Sequence, residues 1–140
     1  MNRSETAMSF FQNAPSLERL VYTSTVPEPL GTVDLFNILN QARQKNAIHG
    51  ITGHLLYADG KFTQCIEGPP AAVERLWQSL LKDPRHAMFQ VLERGPTDAR
   101  RFAEWSMAFS SYRYLNAFNM PGFFPLDANG QSEKSVLMQK

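Results

Sequence analysis

Gly60-Lys61-Phe62-Thr63-Gln64-Cys65-Ile66-Glu67-Gly68 reads as a strand with one residue out of character. A period of two places Phe62, Gln64 and Ile66 on the same face. If the two apolar members point into a core, Gln64 points there too. A side-chain amide brings two donor sites and two acceptor lone pairs, and leaving such a group unpaired in a core costs about 1–3 kcal/mol. A polar partner is therefore expected for Gln64, and a ligand can be that partner. The face is predicted to carry a binding site.

Working outward, Ala58-Asp59-Gly60 predicts a hairpin turn from a strand over Gly50 to Tyr57. Downstream, Gly68-Pro69-Pro70 opens a helix, since proline in the first turn loses no hydrogen bond. Val73, Leu76, Trp77, Leu80 and Leu81 form its apolar stripe, and Asp83-Pro84 ends it. Ala87 to Glu93 is a fourth strand. A turn through Asp98-Ala99-Arg100-Arg101 leads to a fifth, Glu104 to Ser110, on which Trp105, Met107 and Phe109 alternate inward. Upstream, the first strand runs from Leu17 to Thr25 and is closed by Pro27 and Pro29. Thr32 is expected to cap a helix running to Lys45, with Leu35, Leu39, Ala42 and Asn46 on one face. That apolar stripe ends in a polar amide.

The order β-α-β-β-α-β is the ferredoxin-like α+β pattern with an extra fifth strand. Right-handed crossovers would put both helices on one sheet face. Tyr112 to Leu126, rich in Tyr, Phe and Met, is expected to cover the other. The predicted organisation is a flexible tail over 1–16, a single domain over 17–110 and a capping extension over 111–140.

Composition narrows the function. The 140 residues are 43% hydrophobic, enough for one domain that buries its own core. Fourteen basic and thirteen acidic residues are well mixed, with a net charge of +1, so no nucleic-acid partner is expected. One cysteine, Cys65, excludes an intramolecular disulfide and fits a reducing compartment. The first sixteen residues lack the apolar stretch of a signal peptide, and no segment approaches a membrane span. A cytoplasmic protein without membrane contact is the expectation.

Two helices over a sheet face make a cleft into which Tyr22, Asn46 and Gln64 could open. Each has a plainer explanation. A core tyrosine usually packs its ring and anchors its hydroxyl on a backbone carbonyl, and asparagine at a helix end is a common C-cap. Arg85-His86 could bind an anion or simply complement the negative end of the preceding helix. Enzyme signatures are missing. His49, His54, His86 and Cys65 have no metal-ligand spacing, no nucleophile has an evident base, and no glycine-rich phosphate loop precedes a helix. Glu67 is a lone carboxylate at a strand end. The chain is not expected to be an enzyme.

Taken together, these residues resemble the BLUF family of blue-light sensors that use FAD. The resemblance rests on Arg19-Leu20-Val21-Tyr22-Thr23-Ser24, on Lys45-Asn46 with Gly50-Ile51-Thr52-Gly53, and on Asp59 to Gly68. It continues through Lys82-Asp83-Pro84-Arg85-His86, Arg100-Arg101-Phe102 and Trp105-Ser106-Met107. It implies that Tyr22 donates an electron to the light-excited flavin and that its proton follows through Gln64. The glutamine is then left rotated or tautomerised, in a stronger hydrogen bond to the flavin. It implies that Asn46 and Arg85 contact the flavin's pyrimidine edge, that Lys45 contacts the flavin or its tail, and that Trp105 and Met107 carry the output. FAD is the implied cofactor, although the ring pocket alone does not select FAD over FMN. The chain departs from several members at Ala42, where they have a serine. With only residues 111–140 beyond the fifth strand, the signal is expected to pass to a separate protein or to change self-association. The competing readings are a flavin-free ferredoxin-like binding or interaction module and a small hydrolase of the acylphosphatase type. The latter would have to use Asn46 and Arg85 without a phosphate cradle.

Overall fold

A computed structural model of the chain describes residues 17–112 and 120–132. The expected tail over 1–16 lies outside them, as do parts of the C-terminal extension. Seven elements follow in order: β1 (Leu17–Thr25), α1 (Thr32–His49), β2 (Thr52–Ala58), β3 (Lys61–Gly68), α2 (Pro70–Leu81), β4 (Ala87–Thr97) and β5 (Ala108–Ser111). The five strands form one sheet in the order β4-β1-β3-β2-β5. Neighbours are antiparallel except β5, which runs parallel to β2. This is the predicted ferredoxin-like α+β arrangement with a fifth strand added at the β2 edge.

β3 is central, and its register decides the site. Tyr22 of β1 lies opposite Gln64, and Leu55 of β2 lies opposite it on the other side. The hairpin that fixes this register turns at Asp59 (φ 56) and Gly60 (φ 75), the left-handed pair of a tight two-residue turn. Gly53 lets β2 approach closely, because a Cβ there would lie 2.0 Å from the Cys65 carbonyl oxygen.

Both helices cover the Gln64 face. Leu35 and Leu39 of α1 and Val73 and Trp77 of α2 are buried with Leu20, Leu55, Ile66, Met107 and Phe109. Leu81, placed in the α2 stripe by its spacing, is 41% exposed. On the opposite face Val21, Cys65 and Phe102 form a smaller cluster, with His54 stacked on Phe102 at 5.1 Å. The described part of the C-terminal extension divides between the faces. Met120 and Phe123 pack against the helix-side core, while Ser132 hydrogen-bonds Ser110 at 2.7 Å. Phe102, from the β4–β5 connection, supplies cover that the extension was expected to provide.

Several boundaries differ from the sequence-based expectation, among them the start of β2, at Thr52 and not Gly50. Gly31, not Thr32, is the N-cap of α1, and no side-chain cap forms. The helix continues past Lys45 to His49 and ends at Gly50, whose left-handed φ of 70 suits glycine. Asn46 therefore sits within the helix and is not its C-cap. β4 runs on to Thr97, through Pro96, which an edge strand tolerates on its unpaired side. β5 begins at Ala108, so Trp105 and Met107 precede the strand and do not belong to it. The carbonyls of residues 105–107 are taken by the Gly53 N–H of β2 and by the side chains of Asn46 and Arg43, and the regular parallel ladder with β2 starts only at Ala108.

Candidate functional site

α1 and α2 part over the middle of the sheet and leave a cleft with about 130 Å³ of free interior. Ile38, Ala42, Leu55, Phe62, Leu76 and Leu80 form its apolar walls. Tyr22, Asn46, Gln64 and His86 supply polar groups inside, and Gln41, Lys45, Ser79, Asp83 and Arg85 stand at the lining's more exposed positions. All five residues expected to hold a ligand thus line one cavity. Trp105 and Met107 are not among its lining residues.

Tyr22 is fully buried, with its ring 5.1 Å from Trp77 and 5.7 Å from Phe89. Its hydroxyl donates to Gln64 Oε1, in place of the backbone carbonyl a packing tyrosine ordinarily finds. Burial, helped by the negative charge of Asp83, pushes the phenol well above its ordinary value near 10. It is held neutral as a hydrogen-bond donor.

Gln64 is 6% exposed. Its Nε2 donates to Met107 Sδ at 3.7 Å. A thioether is a weak acceptor, so this end of the amide is poorly satisfied beside an open cleft. Met107 is fully buried, as the inward alternation required. Asn46 Nδ2 donates to Ser106 O at 2.8 Å, which ties α1 to the segment between Trp105 and Met107. Trp105 is half-buried and meets Phe124 edge to face at 6.0 Å. Its indole Nε1 is buried without a hydrogen-bond partner among the described residues.

Arg85 forks onto Asp83, with Nε 2.9 Å from Oδ1 and 3.0 Å from Oδ2. The guanidinium holds the Asp83 carboxyl below the usual carboxylate range. Arg85 and Asp83 both line the cleft, so the only carboxylate among its described lining residues is already neutralised and Lys45 adds positive charge. His86 is the residue sequence reasoning undervalued. It is buried in the cleft wall, with Nδ1 2.7 Å from Ser24 Oγ and its ring 4.6 Å from Phe89. Burial lowers its pKa below the ordinary 6.5. Ser24 shares the Tyr22 face of β1, which is the signal that a polar partner was waiting there.

The donor set suits a flat apolar ring with hydrogen-bonding groups along one edge. The walls are aliphatic and aromatic, two amides sit at depth, and the amide of Gln64 lacks a good acceptor. A flavin ring meets that description. Among the described residues, no group of three or more His, Cys, Asp or Glu side chains is placed to hold a metal ion. No described helix is long and apolar enough to cross a membrane.

Comparison with known proteins agrees with this geometry. The family model BLUF, described as sensors of blue-light using FAD, matches residues 17–108. The chain is similar to photoactivated adenylate cyclase subunit beta of Euglena longa, 35% identical over 104 residues. That match takes in 74% of this chain but 12% of the relative, so most of the relative has no counterpart here. Among solved structures the chain is similar to BlrB, a BLUF protein in its dark state, with a TM-score of 0.67 and 37% identity. The alignment covers 76% of this chain and 80% of that one. It is also similar to BlsA in its ground state, with a TM-score of 0.66 and 38% identity over 69% of this chain and 66% of the other.

Proposed function

This chain belongs to the BLUF family of blue-light sensors that use FAD, and on that premise we propose that it binds FAD non-covalently in the α1–α2 cleft and reports blue light by rearranging the Tyr22–Gln64 hydrogen bonds. One observation carries the reading. Gln64 links a buried neutral phenol to a weak thioether acceptor, with open space beside the amide. When bound, the flavin supplies absorption of blue light and an acceptor for one electron.

The chain's own groups do the rest. Tyr22 gives up an electron, and its phenolic proton, made strongly acidic by that loss, leaves along the existing bond to Gln64 Oε1. As charge and proton return, the amide exchanges its partners and releases Met107 Sδ. In a buried network a lost or swapped partner is expensive, so the new arrangement biases what packs against it. Asn46 and Arg85 hold the polar edge of the ring, and Lys45 faces its tail. The apolar walls keep water from the Tyr22–Gln64 bond. Trp105 and Met107 pass the change on, with residues 17–110 as the sensing unit and 111–140 as its capping extension. The output goes to a separate cytoplasmic partner protein or to self-association. The relative named as a photoactivated adenylate cyclase subunit carries its matching segment within a much longer chain.

The test is an absorption spectrum of the FAD-reconstituted protein before and after blue light. A flavin spectrum that moves slightly to the red and returns in the dark supports the proposal. Failure to retain any flavin would favour a flavin-free binding module on the same fold. Bleaching without a shift would keep the pocket and refute the switch.

A further inference from the structure

Three consecutive carbonyls just before β5 are each held by a different group. Trp105 O accepts from the Gly53 N–H at 3.0 Å, Ser106 O from Asn46 Nδ2 at 2.8 Å, and Met107 O from Arg43 Nε at 2.9 Å. Arg43 alone reaches further. Its second nitrogen donates to Pro121 O at 2.7 Å, so one guanidinium joins the Met107 segment to the C-terminal turn.

That turn continues as a strap along the outer edge of β5. Phe109 N–H donates to Gly122 O at 2.8 Å, Phe124 N–H to Phe109 O at 2.8 Å, and Leu126 N–H to Ser111 O at 3.0 Å. Gly122, at φ 80, is pressed against the join. A Cβ there would lie 2.7 Å from the Arg43 guanidinium and 2.8 Å from the Trp105 ring. No carboxylate pairs with Arg43 among the described residues, and burial lowers its pKa. A half-buried cation held only by backbone carbonyls is poor value as a stabilising charge. Its planar fork is well suited to fixing two carbonyls relative to one another.

We propose that Arg43 is a positioning residue that couples the Gln64–Met107 contact to the strap over residues 120–126. The proposal rests on the light-sensing reading above. In the dark, Gln64 holds the Met107 side chain and Arg43 holds its carbonyl. When the amide releases Met107, the segment shifts, and the fork no longer satisfies both Met107 O and Pro121 O. The strap then loosens from β5 and uncovers Trp105. Arg43 itself lies off the cleft lining, one residue beyond Ala42.

The experiment is amide hydrogen exchange on the full FAD-loaded chain, in the dark and under continuous blue light, for wild type and Arg43→Gln. In wild type, light should speed exchange at Phe124 and Leu126 by roughly tenfold or more, the signature of a local opening. In Arg43→Gln these amides should exchange fast already in the dark, and light should add less than about twofold, with the red shift intact. A wild-type strap that ignores light although the red shift forms would overturn the coupling, and that arm does not depend on the variant folding. So would an Arg43→Gln protein whose strap still responds, or one that loses the red shift itself and thereby places Arg43 in the photoactive pocket. Absence of a red shift in wild type would instead refute the light-sensing reading.

Discussion

Gln64 and Glu67 stand three residues apart on β3 and face opposite sides of the sheet. Glu67 is fully buried, and both oxygens of its carboxylate accept strong hydrogen bonds. It accepts from Arg19 Nε at 2.9 Å and from the backbone N–H groups of Arg101 at 2.9 Å and Phe102 at 3.0 Å. Arg19 and Arg101 in turn meet Glu93. Gln64 has the phenol on one side and a sulfur 3.7 Å away on the other. The finished polar group pins the β4–β5 connection to the sheet and belongs to the scaffold. The unfinished one borders a cavity and is the group assigned to the switch in the function proposed above. A buried polar side chain thus declares its role by how completely it is satisfied, more than by its burial.

The sharpest way to break this contrast is Glu67→Ala. It takes from Arg19, which is largely buried, its nearest carboxylate, and leaves two N–H groups without an acceptor. Urea unfolding should show a loss of about 3–5 kcal/mol. A loss below about 1 kcal/mol would mean that the network is not structural. Gln64→Leu should cost less, about 1–3 kcal/mol, because only the Tyr22 hydroxyl loses its acceptor and the vacated volume is apolar. The variant should keep its flavin and lose the light-induced shift; retention of the full shift would end the relay role of Gln64. Tyr22→Phe removes a single donor from a residue whose ring packing persists. Its stability should fall by about 0.5–1.5 kcal/mol and its flavin affinity should be unchanged by titration.

A smaller effect comes from pH. His86 is kept neutral mainly by burial, opposed by Asp83 and assisted by Arg85, and its folded pKa lies below 6.5. The unfolded chain therefore binds more protons in that interval. The contribution of His86 is complete above 6.5 and is lost as pH falls from there through the lower folded value. The thermal midpoint should decline as pH falls below about 6.5, and decline less in His86→Gln. Equal declines in both proteins would assign the effect elsewhere.

How much of this was legible in the sequence depends on the range of the interaction. The element order, the Asp59-Gly60 hairpin and the inward face of β3 follow from local periodicity, and the structure has them. Trp105, Met107 and Phe109 alternate as a strand would, yet only Phe109 is in one. Alternation reports an extended backbone and is silent on which groups take its carbonyls. Gly50, expected to open the second strand, instead ends α1, four residues beyond the amide at which the apolar stripe stops. Glu67 looked like a lone carboxylate because its partner Arg19 is 48 residues away. Arg43 was missed and His86 undervalued for the same reason: Met107 is 64 residues from one, and Ser24 is 62 from the other. Such pairings are set by topology, and no short motif encodes them.

The central claim is that light acts through the Tyr22–Gln64 bond. Its most direct test is the light-minus-dark difference spectrum of FAD-loaded wild type beside Tyr22→Phe at equal flavin occupancy. The account predicts a reversible red-shift difference in wild type and a flat difference in Tyr22→Phe. A red shift of equal size and recovery in the variant would contradict it.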